Sequence, residues 1–167
     1  MKLTLGLAAT LCVVMMTAAV AACYDRANGA QHRFVLNDGE AFDTKTGLSW
    51  KRCSLGTDWD GKRGCAGELS FASLDEAEQL AKAAGPQWRV PSGPELESIV
   101  DHNCGSPVVD KAVFPDISVT DEGTAQYWTT NAVGMADLFY VFDFVDGRPD
   151  GHSRGVHLAV RLVRTGK

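Results

Sequence analysis

The chain has 167 residues, of which 22% are charged and 45% hydrophobic, and a formal net charge of −5. That composition is ordinary for a globular protein. The mild acidity excludes the basic footprint of a nucleic-acid binder and disfavours sulfated or other polyanionic sugars as ligands.

Met1 and Lys2 precede an uncharged, largely apolar run from Leu3 to Ala22 that ends in small residues, the pattern of a secretory signal peptide over residues 1–22. Two processing routes fit the boundary. Ala19-Val20-Ala21 is an A-x-A cleavage site, and Val20-Ala21-Ala22-Cys23 is a loose lipobox that would make Cys23 a lipidated first residue. Cys12 leaves with the signal, so Cys23, Cys53, Cys65 and Cys104 remain, an even number suited to an oxidising compartment. The parity favours soluble export to the periplasm or beyond, with an outer-membrane lipoprotein as the alternative. No later segment is long and apolar enough to span a bilayer. Residues 23–167 are expected to form a single domain.

Residues 33–36 read as a strand, Asn37-Asp38-Gly39 as a hairpin turn, residues 40–43 as its return and residues 48–51 as a third short strand. The glycine-rich loop between Cys53 and Cys65 is expected to be closed by a local disulfide rather than a metal. Ser73 with Glu76 has capping-box spacing and opens a helix whose stripe is Ala77, Leu80, Ala81 and Ala84, ended by Gly85.

Residues 88–100 carry the most specific pattern: Trp88-Arg89-Val90-Pro91 leads into Ser92-Gly93-Pro94-Glu95, a second capping box with proline in the first turn. Leu96, Ile99, Val100 and Cys104 share a stripe, so this helix is expected to run to about Asn103. Val113 and Phe114 are expected to plug the core from a bend, and residues 119–126 to form a loop. Residues 127–130 and 138–145 read as strands. Residues 131–137 and 151–155 read as loops, and residues 146–148 as a turn. A final strand is expected over residues 157–164, with Leu158, Val160 and Leu162 alternating against Ala159, Arg161 and Val163. The order of elements gives an α+β class with antiparallel sheets and two short helices, stapled by disulfides.

These landmarks, taken together, resemble the Lcl C-terminal domain family of bacterial exported proteins. The resemblance rests on Arg33-Phe34, Asn37-Asp38-Gly39, Asp43-x-x-Thr46-Gly47-Leu48-x-Trp50, Arg52-Cys53-Ser54-Leu55-Gly56 with Trp59 and Cys65, and Trp88-Arg89-Val90-Pro91. It continues through Glu95-Leu96, Ser98-Ile99-Val100, Phe114-Pro115, Tyr127-Trp128 and the closing residues 160–164. It implies a C-type-lectin-like fold with N- and C-terminal strands in one sheet, two helices beside it and a loop-rich second sheet. It also implies a Cys23–Cys104 disulfide beside Cys53–Cys65, and a use in adhesion to glycans or host surfaces.

No G-x-S-x-G, P-loop, G-x-G-x-x-G or H-E-x-x-H motif is present, so no catalytic residue, cofactor or metal ligand set is expected. His32, His102, His152 and His157 are dispersed. Trp50, Trp88 and Trp128 read as core, Arg89 and Arg161 as scaffold, Pro91 as a backbone constraint and Glu95 as a helix cap. Ligand contacts are expected from loops held by the sheet: Asn131, Asp137, Tyr140, Asp146, Arg148, Asp150, His152 and Arg154. The functional expectation is a non-enzymatic exported binding module for a glycan or a protein surface. The alternative is a periplasmic inhibitor or immunity-type protein that occludes an enzyme.

Overall fold

A computed structural model describes residues 33–62 and 64–167. The expected signal peptide and Cys23 lie outside the described residues, as does the start of the expected domain.

Three short strands follow one another as a meander: β1 (Phe34–Asn37), β2 (Glu40–Asp43) and β3 (Leu48–Lys51). Asn37 pairs with Glu40 across a two-residue turn, and Asp38 takes φ 47° there, as a tight hairpin demands of its first central residue. The second turn is set by Asp43, which is fully buried. Its carboxylate accepts from Arg33 at 2.6 and 2.8 Å and from the Thr46 hydroxyl at 2.8 Å. β3 then pairs antiparallel with the last strand, β9 (Val163–Thr165), giving a four-stranded sheet in the order β1-β2-β3-β9. The two ends of the described chain thus share one sheet, as the resemblance implied.

The loop after β3 is itself a hairpin, β4 (Thr57–Trp59) with β5 (Cys65–Gly67). The Cys53–Cys65 disulfide closes it, with the Cα atoms 5.5 Å apart. Gly56 has φ +90°, and a Cβ there would meet the Glu68 carbonyl oxygen at 2.3 Å, so the turn admits only glycine. Cys104 is also disulfide-bonded; the Cys23 half of the implied pair lies outside the described residues.

Helix α1 (Leu74–Ala83) starts at its reciprocal Ser73–Glu76 capping box, and Gly85 follows it at φ +139°. Its buried face is Leu74, Ala77 and Ala81. Leu80, expected in that stripe, is 41% exposed and Ala84 is exposed as well. The core covers a narrower strip of the helix than its apolar residues offer.

Helix α2 is a single capped segment, Gly93–Ser98, and does not continue to Asn103. Ile99 leaves helical geometry at φ −94°, ψ 0°, Val100 bridges to Val109, and a separate 3-10 turn covers His102–Cys104. Long-range pairing of Val100 overrides the helical period that the sequence presents. Val113 and Phe114 do plug the core, at 5% and 0% exposure.

The second sheet is β6 (Gln126–Ala132), β7 (Leu138–Asp143) and β8 (Arg148–Ser153), antiparallel and in that order. Two expected loops are therefore strand. Asn131 and Ala132 extend β6, leaving residues 133–137 as the connection, and residues 148–153 form β8 although they include Pro149 and Gly151. Both exceptions are tolerable because β8 is an edge strand, where a missing N–H and weak propensity cost least.

Residues 157–164 also depart from the expected amphipathic strand. Only Val163–Thr165 belongs to the sheet, and residues 158–163 are buried on both sides. The segment runs between the sheets, bridging Leu158 to Ala72, Ala159 to Tyr127 and Val163 to Arg89. It divides two apolar cores. One holds Trp50, Leu96, Phe114, Ile117, Tyr127, Phe142 and Phe144; the other holds Leu74, Trp88, Trp128, Val141, Val160 and Leu162. Tyr127 and Phe142 enter the first core while their neighbours Trp128 and Val141 enter the second, so the β6–β8 sheet is gripped on both faces.

Candidate functional site

The polar residues with the most chemical potential are held inside the protein. Arg161 is fully buried. Its guanidinium donates to the Asp116 carboxylate at 2.5 Å, the Ser54 hydroxyl at 2.9 Å and the Lys51 carbonyl at 3.0 Å. It also lies 5.4 Å from the Phe114 ring centroid and 5.8 Å from that of Tyr127. Asp116 accepts further from the Ser54 N–H at 2.7 Å and the Thr57 hydroxyl at 2.8 Å, while the Ser54 and Tyr127 hydroxyls share a hydrogen bond at 2.9 Å.

Burial raises the Asp116 carboxyl pKa, but the Arg161 charge and the donors from Ser54 and Thr57 outweigh it and hold the group below the usual carboxylate range. Burial pushes the Tyr127 phenol up. Asp116 and the sulfurs of Cys53 and Cys65 form a close group, but both sulfurs are joined in the disulfide and offer no thiolate. The cluster is enclosed, with the Arg161 Nε buried without a hydrogen-bond partner, and it joins β3, the 113–117 bend, β6 and the 157–163 segment. The contacts of Arg161 all lie within the fold. Asp116, its counter-ion, is not marked by any local motif; the only signal is an acidic residue directly after the Phe114-Pro115 plug.

The polar side chains of the 88–95 motif are likewise engaged within the fold. Arg89 forks onto Glu95 at 2.6 and 2.8 Å, and Glu95 accepts the Ser92 N–H at 2.7 Å. The Arg89 hydrogen bond holds the Glu95 carboxyl low despite partial burial, and the same bond holds the Arg89 guanidinium up. Pro91 accepts the Thr130 N–H at 2.9 Å, tying the corner to β6. Trp50, Trp88 and Trp128 are all buried, and the Trp128 indole donates to the Ala72 carbonyl at 2.7 Å. Two further motif residues meet here, the Arg52 guanidinium stacking 3.6 Å from the Trp59 ring centroid.

The exposed candidates fall into three groups. Asn131 and Asp137 flank the β6–β7 connection, where the Asn131 amide oxygen accepts the Gly93 N–H at 2.7 Å and so occupies the N-terminus of α2. Asp146, in the β7–β8 turn, and Arg148, the first residue of β8, lie at the opposite end of β7, 3.5 Å apart and exposed. The six residues of β7 between them put these two ends roughly 17–20 Å apart, so they do not converge on one ligand. Asp150 and His152 lie between, on the face of the sheet that carries Val141 and Phe139; Gln126 donates to Asp150 at 3.3 Å. Tyr140 projects from the other face, 40% exposed. Arg154 reaches away to α1, pairing with Asp75 at 2.8 Å while its guanidinium lies 5.0 Å from the Phe139 ring centroid.

The arrangement is a rigid polar strand, β8, displayed at the edge of a sheet that both cores immobilise. Among the described residues no helix is long and apolar enough to cross a membrane. A family model for the Lcl C-terminal domain matches residues 39–164. Comparison with curated proteins gives no match.

Proposed function

The chain belongs to the Lcl C-terminal domain family, and from that premise we propose that it is a non-enzymatic exported binding module recognising a glycan or a protein surface through its C-terminal sheet. We take its fold as C-type-lectin-like, which accords with N- and C-terminal strands in one sheet and a second sheet stacked on the helices. The observation that carries the reading is the β6–β8 sheet. Its inner residues are divided between two cores, while Arg148, Asp150 and the partly exposed His152 stand on its open edge. Such an edge presents fixed polar groups with little ordering entropy to lose on binding.

Export to the periplasm or the cell exterior is part of the proposal, and the Cys53–Cys65 disulfide supports it. Most carboxyls whose pKa is lowered serve structural pairs and caps, which also favours binding over catalysis. The test is a glycan array together with a pull-down from envelope extracts, using the wild type and Arg148→Ala. Arg148 is the informative position because its side chain is 81% exposed and lightly held, whereas Arg154 is committed to Asp75. Binding that Arg148→Ala abolishes while the melting temperature stays constant supports the reading. Turnover of a substrate, or the absence of any ligand whose binding Arg148→Ala weakens, defeats it.

A further inference from the structure

Away from the C-terminal sheet, an open cleft of about 480 Å³ lies between α1 and residues 70–72. Two large apolar side chains face it from opposite walls, Phe71 at 48% exposure and Leu80 at 41%. Leu80 belongs to the apolar stripe of α1 that the core leaves uncovered. Ala83 completes the apolar surface, and Glu76, Gln79 and His157 form the polar rim.

The rim groups are planar and only partly used. The capping contacts of Glu76 and its 3.3 Å approach to His157 all fall on Oε2, leaving Oε1 without a partner among the described residues. The Gln79 amide has none there either. The backbones of Ala72 and Leu158 bond to each other in both directions at 3.0 Å, so this wall offers no free strand edge to an incoming peptide.

We infer that this cleft is a binding site for an uncharged pyranose ring. A sugar ring has one face rich in C–H bonds, suited to the Phe71 ring, and a girdle of hydroxyls. A carboxylate, an amide and an imidazole in one rim bond such hydroxyls in pairs. Charge selects within the class. Asp75, Glu76 and Glu78 on α1 stand against Lys82 and against Arg154, which pairs with Asp75, so the balance beside the cleft stays negative and disfavours sulfated or carboxylated sugars. The inference rests on the glycan branch of the proposed function and adds a second site to it, with its own residues.

Saturation-transfer NMR on the full mature chain tests it. The probes are methyl glycosides of glucose, galactose and N-acetylglucosamine, with glucose 6-sulfate as the charged comparator. At least one neutral glycoside should bind, with saturation strongest on its ring C–H protons. Phe71→Ala and Gln79→Ala should each weaken it about tenfold or more, Arg148→Ala should not, and the sulfated sugar should bind least. Gln79 is exposed, so its variant keeps the test valid if Phe71→Ala fails to fold. Binding lost in Arg148→Ala but kept in Phe71→Ala and Gln79→Ala overturns the cleft while leaving the β8 reading intact. Absence of binding by every neutral glycoside, together with a blank array, overturns the cleft and the glycan branch together. A stoichiometric protein partner lost only in Phe71→Ala overturns the sugar as occupant.

Discussion

Substituting Asp116 by alanine should be among the most damaging single changes available in this protein. Arg161 would remain fully buried with its closest counter-charge gone. Breaking a buried pair from one side costs about 3–5 kcal/mol, because the surviving charge is left uncompensated. Against a total stability of about 5–15 kcal/mol, that is a large fraction. It corresponds to a fall in melting temperature of roughly 10–20 °C for a domain of this size. The Ser54 N–H loses its acceptor as well, and the Thr57 hydroxyl is left with the Ser54 carbonyl at 3.0 Å, which places the loss towards the upper end.

Acid should act on the same group. The Asp116 pKa is lower folded than unfolded, so its contribution is present above the unfolded value and disappears as pH falls through the folded one. Urea unfolding monitored by tryptophan fluorescence, at neutral pH and again below pH 4, measures both effects. The variant should be much weaker at neutral pH and lose less than the wild type on acidification. The double variant Asp116→Leu/Arg161→Met should regain part of the loss, since two apolar groups of similar size carry no desolvation penalty. A loss below about 1 kcal/mol for Asp116→Ala, the value of an exposed pair, would refute the account of the network. So would a double variant weaker than the single one.

Non-reducing peptide mapping of the mature protein should return Cys53–Cys65 and Cys23–Cys104, and a diacylglycerol on Cys23 would contradict both the second bridge and soluble export. Opening the Cys53–Cys65 bridge with paired serines should cost about 2–4 kcal/mol in urea titrations, in keeping with a sequence separation of 12. Arg89→Ala should cost only about 1 kcal/mol in the same assay, because Arg89 is half-exposed and the Glu95 cap on Ser92 survives without it. Calcium at millimolar concentration should leave the melting temperature unchanged, since no complete set of oxygen ligands is evident in the sequence; a rise of several degrees would overturn that expectation.

What the sequence by itself determined is what acts within a few residues. The Asn37-Asp38-Gly39 hairpin, the Ser73–Glu76 box and the Ser92–Glu95 spacing each place donor and acceptor at most three positions apart. Turn and cap chemistry therefore fixed β1, β2 and both helix starts. The ordered motifs fixed the family. The tertiary structure decided the rest, because its partners lie far apart in the chain. Val100 stops being helical to pair with Val109, and Leu80 is left outside the core while Ala77 and Ala81 enter it. Residues 148–153, polar and turn-like by composition, become strand because β7 offers them a hydrogen-bonding edge. The segment from Leu158 to Val163 alternates like a half-buried strand, yet sheets and helices close over both of its sides. Arg161 meets Asp116 across 45 positions, a pairing no local pattern encodes. Local pattern specifies which backbone shapes are cheap; burial and long-range hydrogen bonding choose among them, and at these positions they chose against the pattern.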